Sequence, residues 1–460
     1  MSKGSDTEQF IAQDTLPGLA KPEPIPHNRL LRLPGLRQAT AFIVAGALMP
    51  AVAYSTAKSD TNSINPEGAP IPTMVANQLP TDICGQEVSG GEPKTSLKVV
   101  GTHVEDSQGH LIMPYGISVV QGDYTNLKVE AQANAQIEAA SGSWGVNAVR
   151  LQVSEDEMFA HPTSGNAFND TYASAVNGLV CKVIKLHKIV ILNDNNEFTG
   201  NQPNPTGLTV KFWELMSERY GNKFPVMFDL FNEPRLKHLE GSTSMMDANT
   251  IWRLWQWGGT VSGVNYVGMQ TLTDDIRNKG ITNVIEQEGP YETSRMQLLP
   301  SHLIKDQNSV YGVHKENLHD ESVWYTQIGK LVKQGIPIED GEWSLFASPH
   351  RPWECYSNGY TAAPKYLAYL QRLGVPLVAW ALRPGALASA PGHLPNRETS
   401  SYEIPTNAAD LNAPTEMTPS FGCNEKSLGQ GAGALIKAYF HKYSKKLPDA
   451  LFPTFVKGSQ

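Results

Sequence analysis

Several features that would point to nucleic-acid or metal binding are missing from this 460-residue sequence. Lys and Arg number 37 against 45 Asp and Glu, so the formal net charge is −8 and no basic excess exists to attract a phosphate backbone. The sequence has only four cysteines, with no CxxC pair and no Cys/His cluster, which argues against a zinc site. No Gly-rich phosphate loop follows the first predicted strand. We therefore expect no nucleic-acid partner, no metal and no cofactor.

Cysteine is scarce, but its even number leaves room for disulfides. Two bonds among Cys84, Cys181, Cys355 and Cys423 would suit an exported protein, with three possible pairings. Cys181 lies in an apolar helical pattern, so a buried free thiol is the alternative for that residue.

The first 95 residues lack the patterns of a folded domain. Residues 1–38 are polar and proline-dotted, and we expect them to be disordered. In residues 39–57 a charge-free apolar run follows Arg29, Arg32 and Arg37 and ends in small residues, which is typical of a signal peptide. An uncleaved membrane anchor and a core helix are the alternatives, and either membrane interpretation puts the remainder outside the cytoplasm. Residues 58–95, rich in Pro, Ser, Thr and Asn, are predicted to be a linker.

From residue 96 to residue 450, short β-type runs alternate with helical patterns, as in βα units around a parallel sheet. Eight strands are predicted, at Leu111–Val119, Asn147–Leu151, Lys188–Leu192, Val226–Phe231, Asn283–Glu286, Val310–His314, a strand opening at Ile336–Ile338, and Pro376–Trp380. Eight units predict an α/β fold, the (β/α)8 TIM barrel, with long loops after strands 4 and 8. A doubly wound open sheet is the alternative.

Polar and aromatic side chains stand at the carboxyl ends of these strands, where the working residues of such a barrel lie. They are Arg150 at the second strand, Asn196 after the third, Asn232 and Glu233 after the fourth, His314 at the sixth, Glu342 after the seventh and Trp380 at the eighth. The fold therefore predicts that these groups converge on one mouth.

Two of these residues are carboxylates, Glu233 in Asn-Glu-Pro and Glu342 in Gly-Glu-Trp. Such a pair, without a metal or phosphate loop, suits glycosidic cleavage, in which one carboxyl protonates the leaving oxygen and the other attacks the anomeric carbon. If Arg150 lies beside Glu342, it keeps that carboxylate charged and leaves Glu233 as the acid, whose pKa we then expect to be raised. The alternatives are a structural ion pair for Arg150 and a plain core position for His314 and Trp380.

The ordered motifs resemble glycoside hydrolase family 5, the cellulase-type retaining glycosidases of clan A. They are Trp144–Leu151, Asn232-Glu-Pro, His314, Gly341-Glu-Trp and Trp380, with Gly268–Gly280 similar to the helix before that family's fifth strand. The resemblance covers residues 97–445. It implies a glycosyl-enzyme on Glu342, acid/base action by Glu233, and carboxyl groups about 5–5.5 Å apart. It further implies that Asn232 contacts the sugar, Arg150 steadies the nucleophile, His314 lines the reacting subsite and Trp380 is the sugar platform.

Two positions depart from the family pattern. Many members carry a histidine just after the third strand, where this sequence has Asn193–Glu197, and we predict Asn196 as a substrate contact there. The usual aromatic residue two positions after the sixth-strand histidine is Glu316 here. Both positions touch the reacting sugar in relatives, so the identity of the sugar stays open.

The two long loops run from Glu233 to Gly263 and from Arg383 to Gly422. Because both follow strands, they lie over the active face, and we expect them to narrow the cleft toward short or decorated glycosides. In the first loop, Trp252 and Trp255 are spaced as one side of a small amphipathic helix packed on the barrel, with a cleft wall as the alternative.

The sequence thus predicts an exported retaining β-glycosidase that acts on β-1,4-linked glucan or mannan-type chains as a monomer. We expect it to be secreted, or anchored at the outer face of the cell membrane through residues 39–57. An exo-acting or glycolipid/diglycoside-type β-glycosidase of the same family is one alternative. A carbohydrate-binding protein, with catalysis weakened by the two departures, is the alternative of another class.

Overall fold

The computed structural model describes residues 84, 96–120, 122–159, 168–195, 203–222, 225–236, 247–314, 321–345, 359–390, 403–419 and 430–453. The predicted disordered segment 1–38, the signal or anchor segment 39–57, and the linker 58–95 except Cys84 lie outside the described residues. In the described part of the chain, no helix combines the length and the hydropathy needed to cross a bilayer.

Eight parallel strands close into a barrel. In chain order the strands are β1 (Lys98–Val100), β2 (His103–Glu105), β3 (Leu111–Ile112), β4 (Gly116–Val119), β5 (Ala148–Val153), β6 (Ile189–Asp194), β7 (Val226–Asp229), β8 (Gly258–Val261), β9 (Val264–Val267), β10 (Ile285–Glu288), β11 (Ser309–His314), β12 (Ile338–Trp343) and β13 (Leu377–Ala379). Strands β4 to β7 and β10 to β13 form the barrel, which closes where β7 pairs with β10 and β13 with β4. Closure confirms the predicted (β/α)8 fold class and excludes the open sheet.

Every residue of the eight barrel strands is buried. One face of each strand fills the barrel interior and the other packs under the surrounding helices, so both faces are shielded from water. The remaining strands lie outside the barrel, as an antiparallel sheet of β1, β2 and β3 and a hairpin of β8 and β9.

Helices follow the barrel strands and cover the outside. They are α1 (Leu127–Ser141), α2 (Glu155–Phe159), α3 (Asp170–Lys185), α4 (Gly207–Tyr220), α5 (Ala248–Trp257), α6 (Met269–Asn278), α7 (Glu321–Trp324), α8 (Lys330–Lys333), α9 (Gly359–Leu373) and α10 (Gly433–Tyr443). A π-helical turn at Tyr325–Gly329 joins α7 to α8. Several helices begin at a side-chain cap: Asn126 accepts from the amide of Lys128, and Asn169 from that of Tyr172.

All eight predicted strands differ from the observed ones in at least one residue, and the differences are largest in three of them. The first divides into β3 and β4, because Pro114 between them has no N–H for a ladder. The fifth lies two residues later than predicted, ending at Glu288 instead of Glu286. The seventh continues to Trp343, through buried acidic residues that read as a strand end in the sequence.

Two of the three tryptophans of α5 pack against the barrel, and the third, Trp257, is exposed. Trp252 and Trp255 are at most 1% exposed, and their rings meet edge to face with centroids 5.1 Å apart. The Trp255 indole N–H donates to the backbone carbonyl of Glu288, 2.7 Å away. These side chains therefore have the packing role expected for them, and Trp255 also fixes the end of β10.

A disulfide joins Cys84 to Cys181 of α3, with Cα atoms 5.2 Å apart, within the usual range for such bonds. Cys181 is therefore not a free thiol, in contrast to the alternative raised for it. Cys355 and Cys423 lie outside the described residues.

Candidate active site

The predicted site residues that the structure describes stand at the carboxyl end of the barrel. They are Arg150, Asn232, Glu233, His314, Glu342 and Trp380. Arg150 lies inside β5, as predicted, whereas Glu342 lies inside β12 and not after it, because that strand runs further than predicted. The seventh residue, Asn196, lies outside the described residues, as does Glu316.

Arg150 is the centre of a buried ion-pair network. Its Nε donates to Asp229 at 2.8 Å, one terminal nitrogen donates to Glu342 at 2.7 Å, and the other donates to Asn232 at 2.8 Å and to Glu288 at 2.7 Å. The guanidinium is fully buried, and its ion pairs connect β5 to β7, β10 and β12. A planar fork with several donors suits this task, which a lysine could not perform.

His314, the last residue of β11, stands between the two predicted catalytic carboxylates. Its Nδ1 lies 2.9 Å from Glu233 and 4.0 Å from Glu342. The side chains of Glu233 and Glu342 are 15% and 9% exposed, whereas those of Arg150, Asp229 and Glu288 are fully buried. Of the four carboxylates in this network, only Glu233 and Glu342 can therefore meet a substrate.

Glu233 has an unusual backbone. Its φ is +47°, in the left-handed region that a residue with a side chain rarely adopts. The backbone N–H of the preceding Asn232 donates to the backbone carbonyl of Asp194 at 2.8 Å, and the backbone N–H of Glu233 donates to the carboxylate of Glu288 at 2.5 Å. These bonds turn the chain at the end of β7 so that the Glu233 carboxylate faces His314.

The expected rise in the pKa of Glu233 is wrong for the unliganded protein. Burial does raise the pKa of this carboxyl, but the hydrogen bond and the charge of His314 outweigh burial, and Arg235, 3.2 Å away, adds to them, so the pKa is held below its usual range. Burial lowers the pKa of His314, yet the neighbouring Glu288, Glu233 and Glu342 raise it well above its usual value. Both pKa shifts favour an ionised Glu233 beside a protonated His314 in this state.

Trp380 directly follows β13 and is partly exposed. The guanidinium of Arg383 lies over its ring, 4.1 Å from the centroid. A partly exposed indole fits a sugar platform better than the core position that was the alternative. The peptide bond from Trp380 to Ala381 is cis.

The sequence prediction missed Glu288, which contacts Arg150, His314 and the backbone of Glu233. The signal was present in Ile285-Glu-Gln-Glu288, because alternate residues of a barrel strand face inward. Because the predicted fifth strand ended at Glu286, the inward-facing residue two positions later, Glu288, was not considered as a site residue.

Asp229, Glu286 and Glu288 are the described acidic group whose oxygens come closest to a metal-binding set, within 4.8 Å of one another. Arg150 already pairs with Asp229 and Glu288, and burial together with Asp229 and other carboxylates raises the pKa of Glu286 well above its usual value. The Arg150 guanidinium and bound protons can therefore offset the negative charge of these three carboxyl groups without a metal ion.

Comparison with known proteins places this site in a family. Residues 112–386 match the model described as cellulase, glycosyl hydrolase family 5. A cellulase of this family from an Icelandic hot spring isolate aligns with a TM-score of 0.51 at 16% identity, over 78% of this chain and 99% of its own. A β-glucanase from Saccharophagus degradans aligns with a TM-score of 0.51 at 17% identity, over 79% of this chain and 96% of its own. A second structure of that β-glucanase, in complex with cellotetraose, aligns with a TM-score of 0.49 at 17% identity, over 72% of this chain and 94% of its own. No curated protein sequence matches the chain.

Proposed function

The chain belongs to glycosyl hydrolase family 5 and is a cellulase-like glycoside hydrolase, and we propose that it cleaves β-1,4-linked glucan or mannan-type chains with retention of configuration. The observation that carries this proposal is the placement of two carboxylates whose side chains keep some exposed surface, Glu233 and Glu342, within 2.9 Å and 4.0 Å of the same imidazole nitrogen. Retention needs two carboxyl groups close enough for one to attack the anomeric carbon directly.

The contacts of each carboxylate support its role. Glu342 accepts from the guanidinium of Arg150, which favours the ionised form that a nucleophile needs. Glu233 instead faces His314, which holds a proton beside it. In the first half-reaction Glu342 attacks the anomeric carbon while Glu233 protonates the departing oxygen, and in the second Glu233 takes a proton from the attacking water.

Two further groups are proposed to bind the sugar. Asn232 is held by Arg150 through its carbonyl oxygen, so its amide nitrogen is left to donate toward the mouth, where a hydroxyl next to the anomeric carbon would lie. Trp380 would stack under the sugar ring. The glucan or mannan assignment is drawn from the family description and from the sequence motifs.

We also propose that the protein is exported. A disulfide between Cys84 and Cys181 suits an oxidising compartment, and the basic residues before the apolar run 39–57 suit a signal peptide. Mass analysis of the protein recovered from the medium and from membranes tests this. A chain that retains residue 1 and fractionates with the cytoplasm would overturn export.

The catalytic proposal is tested with activated 2-deoxy-2-fluoro glucoside, mannoside and cellobioside donors, followed by intact mass and peptide mapping. We expect one glycosyl unit on Glu342, none in Glu342→Gln, and normal labelling in the matched control Glu339→Gln, which changes a buried carboxyl of the same strand. An adduct on a different carboxylate would show that the assignment is wrong. Binding of the donors in calorimetry without any adduct would favour the carbohydrate-binding alternative.

A further inference from the structure

Glu288 contacts three members of the site although it is fully buried at the end of β10. One carboxylate oxygen lies 2.7 Å from a terminal nitrogen of Arg150 and 3.2 Å from Nε2 of His314. The other accepts the backbone amide of Glu233. A side chain with no exposed surface cannot touch a sugar, so any part that Glu288 takes in the reaction must act through these neighbours.

The contact with Glu233 acts on the backbone. A left-handed conformation is unfavourable for a residue with a side chain, and the backbone amide of Glu233 would be left unpaired inside the protein without an acceptor. Glu288 supplies that acceptor as a charged group, which makes the hydrogen bond stronger than a neutral one. Glu288 thereby holds the turn that points the Glu233 carboxylate at His314.

The contact with His314 acts on its charge and orientation. With Nε2 facing Glu288, the other ring nitrogen, Nδ1, faces Glu233 at 2.9 Å. Gly341 leaves room for the neighbouring Glu286, since a Cβ there would lie 2.6 Å from that carboxyl, whereas its distance of 3.5 Å from Nε2 would be an ordinary contact.

The titratable and charged groups around the imidazole come from four neighbouring elements. They are Glu233 after β7, Glu286 and Glu288 on β10, Glu342 on β12 and Arg150 on β5. Burial raises the pKa of Glu286 well above its usual value, which favours its neutral form, and Arg150 offsets part of the charge of Glu342 and Glu288. Glu288 is the carboxylate nearest to Nε2, so its charge decides whether both ring nitrogens keep their protons.

We propose, resting on the catalytic roles given above, that Glu288 is a positioning residue that keeps one proton on the His314–Glu233 pair for delivery to the leaving group. In the first half-reaction this proton passes from the pair to the glycosidic oxygen as the bond from that oxygen to the anomeric carbon breaks and the bond to Glu342 forms. The pair is left as neutral His314 and ionised Glu233. In the second half-reaction the proton of the attacking water returns to the pair as the bond to Glu342 breaks.

The test is the pH dependence of kcat/KM for Glu288→Gln, which keeps the shape of the side chain and removes its charge. Because an opposite charge at this distance shifts a pKa by about 1–3 units, the alkaline limb of the profile should move to lower pH by about one unit or more. The loss at pH 8 should be large for an oligosaccharide and small for a dinitrophenyl glycoside, whose leaving group needs no proton.

Glu286→Gln is the matched control, since it changes a neighbouring carboxyl of the same strand that already holds its proton. Its alkaline limb should stay where it is in the wild type. An unshifted limb in Glu288→Gln, in a protein that still forms the adduct on Glu342, would overturn the positioning role and leave the proposed function standing. Absence of the adduct in the wild type would instead refute the proposed function.

If Glu288→Gln does not fold, the wild-type protein still decides the matter. The imidazole nitrogens of His314, assigned by comparison with His314→Gln, should both remain protonated in nitrogen NMR spectra up to pH 8. A neutral imidazole at pH 7 would overturn the proposal.

Discussion

Replacing Arg150 by lysine tests how much of the site depends on one guanidinium. The substitution keeps the positive charge, so no buried carboxylate loses its only cation. It removes the planar fork that reaches Asp229, Glu342, Asn232 and Glu288 from three nitrogens. An ammonium has a single nitrogen, and we expect it to keep contact with no more than two of the four partners.

The magnitude follows from the contacts that are lost. A hydrogen bond to a charged group contributes about 1.5–3 kcal/mol, so the loss of two of them should lower the free energy of unfolding by about 3–6 kcal/mol. The same change releases Glu342 and Asn232 from their fixed positions. Removing one preorganised electrostatic contact typically costs about 10²–10³ in kcat, and we expect a fall of that order in kcat/KM for Arg150→Lys.

Urea unfolding and steady-state kinetics on an aryl cellobioside measure the two effects. Arg277→Lys is the matched control, because Arg277 likewise donates several hydrogen bonds, two of which, of 3.0 Å and 2.9 Å, go to the carboxylate of Asp306. Unlike Arg150, it is partly exposed and lies remote from the mouth of the barrel. There we expect a cost of about 1 kcal/mol or less and unchanged kinetics. If Arg150→Lys keeps its stability within about 1 kcal/mol and its full activity, the network is not what holds the site together.

Two further predictions concern stability. The disulfide between Cys84 and Cys181 closes a segment of 97 residues, which in the chain-entropy model stabilises the fold by about 4–5 kcal/mol. The Cys84→Ser variant should therefore unfold at a lower urea concentration than the wild type. Ready alkylation of Cys84 in the unreduced wild type would contradict the disulfide. Burial, together with Asp229, raises the pKa of Glu339 to about 8. A carboxyl whose pKa is raised in the folded state stabilises the fold at low pH, and this contribution is lost as the pH rises through the folded pKa. Relative to the wild type, Glu339→Gln should therefore gain about 1.4 kcal/mol of unfolding free energy per pH unit between pH 5 and pH 8, and parallel stability curves would refute a buried neutral carboxyl.

The predictions that succeeded rest on local patterns. The run Val226–Phe231 ends in Asn-Glu-Pro, and a proline cannot continue a strand ladder, so the sequence alone places Glu233 just beyond a strand. Glu342 stands out in the same way, in Gly-Glu-Trp. Once eight strands are read as a barrel, the geometry of that fold brings their carboxyl ends together without any knowledge of side-chain contacts.

Strand ends were predicted less well, for a physical reason. β10 and β12 carry the buried acidic residues Glu286, Glu288, Glu339 and Asp340, and a buried acidic residue is costly unless it is paired or protonated. A pattern based on apolar runs therefore ends both strands too early. These acidic residues are stabilised by the Arg150 guanidinium, which lies on another strand, and by protons bound to the carboxyl groups. Neither contribution can be read from the pattern of apolar residues along one strand.

By itself the sequence determined the barrel, its working face and the position of the two proposed catalytic carboxylates at that face, because strand periodicity and strand-ending motifs are local properties. Only the tertiary structure decided where the proton of the acid lies. The pKa of Glu233 depends on His314, and that of His314 on Glu288, through contacts between residues on separate strands. Charge interactions fall off with distance in space and not along the chain, so closure of the barrel is what gives each carboxylate its neighbours.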